Sequence, residues 1–191
     1  MSHPAIFRIY KQKGNNFEPQ LKGKTSFSNI DERFGTPLLN SWEIPNLDWY
    51  KEDGGLPKDI HFLLSTYPLC SQKAYECLLT LNNLTDVEFL PLNIENERFY
   101  LINVCKSMTN ILNRSKSDID YYPDKRIMFV SKFVFYPTDF DSCIFRIPES
   151  ATAIFVTEAV VDIVKKNRLT GLIFESIPSV KKSLWENLRG K

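Results

Sequence analysis

The sequence predicts an α+β fold, with mixed or antiparallel sheets and a few helices. Two observations carry this reading. At least six short β-prone runs accompany only two firm amphipathic helices, without the strict strand–helix alternation of a doubly wound sheet. A strand–helix–strand pattern also occurs twice, over residues 59–92 and 144–177, at an offset of 85 positions. Laid over each other, the two stretches pair Ala74 with Ala159, Leu78 with Ile163, Leu84-Thr85 with Leu169-Thr170 and Phe89 with Phe174. They share six identical residues, so they are either degenerate copies or a chance recurrence of a common pattern.

In chain order, Ala5 to Tyr10 (AIFRIY) reads as a first strand, followed by a polar loop through Lys13-Gly14-Asn15-Asn16. Phe17 to Asn40 shows no sustained period, and residues 1–41 are expected to form an irregular N-terminal arm. Trp42, Leu47, Trp49 and Tyr50 concentrate aromatic mass before the turn residues Asp53-Gly54-Gly55 and Pro57. The first copy then has Ser71 near a helix cap and Asn82-Asn83 at its exit. Arg98 to Cys105 is apolar on both faces apart from Asn103, which places it inside a sheet. A polar stretch from Met108 to Pro123 follows. Arg126 to Tyr136 predicts one strand with Phe129, Ser131, Phe133 and Phe135 on a shared side.

The second copy carries the clearest helix. Thr157 is placed to cap it, with its hydroxyl accepting from the first turn. Ala159, Val160, Ile163 and Val164 fall on one arc; Glu158, Asp162, Lys165 and Lys166 lie opposite and complement the helix dipole. Asn167 is the expected left-handed exit, and Gly171 breaks the chain before Leu172-Ile173-Phe174. In the basic tail from Pro178 to Lys191, Val180, Leu184, Trp185 and Leu188 at helical spacing predict a short docking helix.

With 191 residues and 7 glycines, one domain over 1–191 is expected. It can bury roughly 70% of its unfolded surface. Hydrophobic content of 43% is that of an ordinary globular protein. The 24 basic and 23 acidic residues are well mixed, so no broad field would steer the chain onto nucleic acid or an anionic membrane. The start, MSHPAIFRIYKQK, lacks the apolar core of a signal peptide, and a cytoplasmic protein is expected. Cys70, Cys77, Cys105 and Cys143 lack paired C-x-x-C spacing and are expected as buried free thiols.

Catalytic patterns are sparse. Strand alternation puts Asp59 and His61 on one face, the orienter and base a small hydrolase would need, but no G-x-S-x-G elbow supplies a nucleophile. Asp118, Asp120 and Asp124 resemble the start of a calcium loop, which fails at Pro123 (glycine required) and Phe129 (glutamate required). There is no H-E-x-x-H or phosphate-cradling loop, so neither metal nor cofactor is expected. The same acidic stretch suits a different task. Asp118, Asp120, Tyr121, Tyr122 and Asp124 surround two tyrosines with carboxylates, the composition of a surface aimed at a cationic cleft. Its plain alternative is a solvated loop with the tyrosines packed back on the sheet. Trp42, Trp49 and Tyr50 are a second candidate contact patch, or residues that seal a core. Arg146 is expected to be structural.

Four pieces together resemble a known family. They are the capped helix leading into VEFLPL, the strand RFYLINV followed by LNRSKS, the arginine-bearing strand IFRI, and IFVTEAVVDIVKKNRLTGLIF. Their order and spacing, from about Trp42 to Ile177, are similar to bacterial polymorphic-toxin immunity proteins of immunity family eleven. Asn113 stands where such proteins often carry aspartate. The resemblance implies a cytoplasmic, non-enzymatic inhibitor that binds a cognate toxin and occludes its active site. Two rivals are a small hydrolase using Asp59 and His61 and an adaptor or scaffold module. Exposed aromatics would also permit a homodimer.

Overall fold

Short β-prone runs separated by turns give twelve strands among the described residues, which are 3–13, 17–21, 34–51 and 58–181 of a computed structural model. The first three are β1 (Ile6–Lys11), β2 (Phe17–Leu21) and β3 (Asn46–Lys51), with a 3-10 turn at Leu39–Ser41 before β3. Next come β4 (Ile60–Leu63), β5 (Tyr67–Ser71), α1 (Gln72–Leu78), β6 (Val87–Ile94) and β7 (Glu97–Val104). The chain continues through β8 (Asp118–Tyr121), β9 (Ile127–Lys132), β10 (Ile144–Ile147), β11 (Ser150–Thr157), α2 (Glu158–Lys166) and β12 (Leu172–Ile177). Mixed sheets with two short helices make an α+β fold, as the element pattern predicts.

Six strands form one sheet in the order β2-β3-β6-β7-β5-β4, antiparallel except where β3 meets β6. Its two end strands, β2 and β4, come within 8 Å of each other, so the sheet curls back on itself. A second, antiparallel sheet runs β10-β11-β1-β12, and β8 pairs with β9 as a separate ribbon. Segments 59–92 and 144–177 both fold as hairpin, helix and returning strand. In each, a further strand slots between the hairpin and the returning strand. Phe99 of β7 pairs with Ser71 on one side and Leu92 on the other. Ile6 of β1 does the same with Thr157 and Ile177. β7 reaches its slot through a tight turn at Glu95-Asn96, both left-handed, whereas β1 comes from the N-terminal end of the chain.

The central core takes one face of each sheet together with both helices: Ile60, Phe62 and Ile102 meet Ile154, Val156, Leu78 and Val164. Inside the curled sheet, Leu47, Leu69, Leu90, Leu101 and Phe99 form a second cluster. The third lies on the other face of the four-stranded sheet, where Phe133, Phe135, Phe145 and Phe155 pack edge to face and stacked. Helix α2 buries Val160, Val161 and Val164 and keeps Glu158 at its start and Lys165-Lys166 at its end. Each buried valine is worth roughly 1.5–3 kcal/mol against exposure. The helix ends one residue later than expected: Arg168, not Asn167, is left-handed at φ 52°. Arg168 N–H donates to Lys165 O over 3.1 Å and Leu169 N–H to Val164 O over 2.9 Å, closing the last turn.

Three details differ from the sequence expectation. β1 is the strand expected at Ala5 to Tyr10, but Phe17–Leu21, in a stretch without a visible period, also forms a strand, β2, an end strand paired with β3. The run 126–136 is not one strand, since β9 stops at Lys132 and Phe135 belongs to isolated bridges with Leu112 and Ser179. Shifts of register at Asp118/Ile119 and Asp120/Tyr121 also break the alternation. Phe129 is therefore exposed while Phe133 and Phe135 are buried. The acidic stretch is half strand, not loop, because β8 takes up Asp118–Tyr121. The turn residues Asp53-Gly54-Gly55 and Pro57, and the tail positions Leu184, Trp185 and Leu188, lie outside the described residues.

Candidate partner-binding surface

The β8–β9 ribbon is held at its base by Ser117, whose hydroxyl accepts from Val134 N–H at 3.0 Å and lies 3.3 Å from Val134 O. Val130 is buried, and Ile119 and Ile127 pack against the third cluster. The turn closes by Tyr122 N–H to Arg126 O (2.8 Å) and Lys125 N–H to Tyr122 O (2.9 Å), with Lys125 left-handed. Tyr121, Tyr122, Met128 and Phe129 are all exposed, Phe129 by 55%. The carboxylates are not a bare acidic patch. Arg126 Nε donates to Asp124 Oδ2 at 2.7 Å while its guanidinium lies 5.6 Å from the Tyr122 ring centre. Asp118 stands opposite Lys132 in the ladder, and Asp120 opposite Phe129. The ribbon thus presents aromatic and apolar surface with charges of both signs, a composition suited to a protein contact.

The second candidate patch divides. Trp42 donates Nε1–H to Pro91 O at 2.6 Å, and Trp49 packs 4.5 Å from the His61 ring and edge-on to Phe99 at 5.4 Å. Both indoles seal the curled sheet. Only Tyr50 of the three is exposed.

Asp59 and His61 do not form a dyad. The imidazole is buried on Trp49 and its Nε2 lies 2.9 Å from Lys58 N–H. The Asp59 carboxylate instead accepts from Thr170 N–H (2.8 Å) and its hydroxyl (2.9 Å), and pairs with Lys73 at 3.3 Å. Among the described residues no three His, Cys, Asp or Glu side chains come together as metal ligands, and all four cysteines are free thiols. Cys70 and Cys143 are buried as expected; Cys77 and Cys105 are only half-buried. No helix among the described residues is long and apolar enough to cross a membrane.

A polar clamp fixes the strap at 34–39. The Asn103 amide, fully buried on β7, accepts from Gly35 N–H and donates to Thr36 O and Glu88, each at 2.8 Å. Glu88 in turn accepts from Leu38 and Leu39 N–H at the start of the 3-10 turn. Arg146 completes the clamp from β10, its guanidinium 5.4 Å from the Phe34 ring centre and flat against Gly35. A Cβ on Gly35 would fall 1.5 Å from Arg146 Nη2. Burial pushes the Arg146 pKa down from its ordinary value. This is a structural role, as the sequence suggests.

With that geometry in view, the family comparison is decisive: the model described as Immunity protein family (Imm11) matches residues 9–179. The chain belongs to this family. None of the curated proteins matches it. The Imm11 match runs from β1 to just past β12, so it takes in both sheets, the ribbon and both helices. Sequence reasoning about this Imm11 chain missed Met128 and Phe129 as surface residues. Two consecutive apolar residues beside a turn rich in charge were the available signal, masked by assuming unbroken alternation.

Proposed function

We propose that this chain is a stoichiometric inhibitor that binds a cognate toxin in the cytoplasm and occludes its active site. The observation that carries the reading is membership of an immunity-protein family across nearly the whole chain. The β8–β9 ribbon supports it, because two tyrosines, a methionine and a phenylalanine stand open on a core-anchored hairpin. Large side chains of that kind dominate the energetics of protein interfaces, and charges on the rim set specificity. The contact then centres on Tyr121, Tyr122, Met128 and Phe129, with Asp118, Asp120 and Asp124 at the rim and Tyr50 as a further candidate. A protective inhibitor has to bind at about nanomolar strength or better. Co-expression with the toxin encoded beside it tests the reading. Restored growth and a complex that survives size-exclusion chromatography are expected. Unrelieved toxicity with no complex would defeat it.

A further inference from the structure

The two helices hold matching places after their hairpins, yet their N-termini differ. At α1, Ser71 Oγ accepts from Ala74 N–H at 3.3 Å and closes the first turn. At α2, Thr157 has the same extended backbone and is only 5% exposed, but its hydroxyl makes no cap bond and has no other partner among the described residues. Glu158 N–H is taken by Ala5 O at 3.0 Å; Val160, three residues past its cap as Ala74 is past Ser71, receives nothing from the cap side chain. A helix start left this way directs donors outward.

What lies outside is a cleft of about 540 Å³. Thr157, Glu158, Ala159 and Asp162 line one wall, and Asn82 and Asn83, at the exit of α1, line the other. Its size is that of a ligand-binding pocket and admits the side chains of a short loop. The chemistry narrows the occupant. Open donors call for an acceptor. The exposed carboxylates of Glu158 and Asp162, one turn apart on the same helix, outnumber Lys166, which lines the cleft one turn further on, and so disfavour an anion and favour a neighbouring cation.

We infer that this cleft receives a loop of the toxin, placing a carbonyl or side-chain amide at Thr157 and a lysine or arginine against Glu158 and Asp162. This rests on the toxin-binding reading and locates a contact that reading leaves unassigned.

The test uses the full chain and the purified toxin encoded beside it. Thr157→Val removes the hydroxyl but keeps the shape and is expected to weaken binding about tenfold, the worth of one hydrogen bond. Ala159→Trp fills the cleft and is expected to weaken binding by about a hundredfold or more, as an obstructed hot spot would. Both variants should melt at the temperature of the unmodified chain. Hydrogen exchange should slow at residues 159–161 only in the complex, a readout that stands even if Ala159→Trp folds poorly. Affinities within twofold for both variants, or unchanged exchange there, would overturn the inference. So would Ala159→Trp turning a dimer of the free chain into a monomer, which would give the cleft to a second copy. If the unmodified chain does not bind at all, the toxin-binding reading itself falls, and the cleft assignment with it.

Discussion

Asp59 and Thr170, 111 positions apart, bond to each other in both directions. Thr170 N–H and hydroxyl donate to Asp59 Oδ2 at 2.8 and 2.9 Å, and Asp59 N–H donates back to Thr170 Oγ1 at 3.2 Å. Ile60 N–H then reaches Thr170 O at 3.0 Å. The pair ties the start of the first hairpin to the approach of β12, so its work is mechanical. Asp59→Ala is expected to cost about 1.5–3 kcal/mol of folding stability, the range for hydrogen bonds to a charged group. Protection against the toxin should persist at temperatures where the variant stays folded. Urea unfolding and a growth assay together check this; lost protection in a fully folded variant would revive the hydrolase reading.

One residue further on, Gly171 sits at φ +107°, where L side chains are strained. A Cβ there would lie 1.9 Å from Ile60 O, and backbone cannot step aside as a side chain can. Gly171→Ala should therefore destabilise by about 2–4 kcal/mol, as strain and overpacking combine. Gly35→Ala makes the informative comparison. It too has a positive φ, +88°, but the atoms nearest its added Cβ are the end of the Arg146 side chain, which can move. Thermal denaturation should rank Gly171→Ala as clearly the worse of the two.

These contacts show where sequence reading succeeds and where it stops. Helix α2 was legible because its apolar arc, its acidic start and its basic end are all local. β7 was legible as an interior strand because both its faces are apolar. Partner choice was not. Nothing within Ala5 to Tyr10 says that β1 must slot between β11 and β12, 140 and more residues away, since pairing is settled by the whole core. Alternation puts Asp59 and His61 on one face, but Asp59 precedes β4 and its carboxylate is captured by Thr170, while His61 packs on Trp49. Thr157 has the residue type of a closed cap, and residue type alone cannot show which way a hydroxyl turns. At the ribbon, two register shifts undid an alternation that the residues suggested.

Buried thiols give the protein an alkaline limit. Burial raises the Cys143 thiol from 9.0 to about 11, and the Cys105 thiol to about 11 with the Glu88 carboxylate adding to the effect. Cys70, deeper still, is pushed up further. These groups keep their protons longer folded than unfolded. The unfolded chain therefore binds fewer protons once pH passes the ordinary thiol value, and stability falls from there upward through the folded values. Melting temperature should hold steady around neutral pH and then fall progressively between about pH 9 and 11. Cys143→Ala should flatten part of that fall. An alkaline limb unchanged by the substitution would assign the loss to other groups.

The ribbon offers the sharpest separation of folding from binding. Tyr121, Tyr122 and Phe129 are exposed, whereas Val130 on the same hairpin is buried and holds it to the core. Truncating the exposed rings removes little internal packing, so Tyr121→Ala, Tyr122→Ala and Phe129→Ala should each change stability by no more than about 0.5 kcal/mol. If the ribbon is the toxin contact, at least one should weaken the complex by about 2 kcal/mol or more, near thirtyfold, as interface aromatics do. Arg126→Ala separates two contributions of charge. It uncovers Asp124 and releases the cation beside Tyr122, so a toxin with a cationic cleft should bind the variant faster at low salt. Val130→Ala is the control in the other direction, expected to cost stability through the cavity it leaves. Binding that survives all three aromatic truncations with unchanged affinity would remove the ribbon from the contact and leave the toxin to be held elsewhere on the chain.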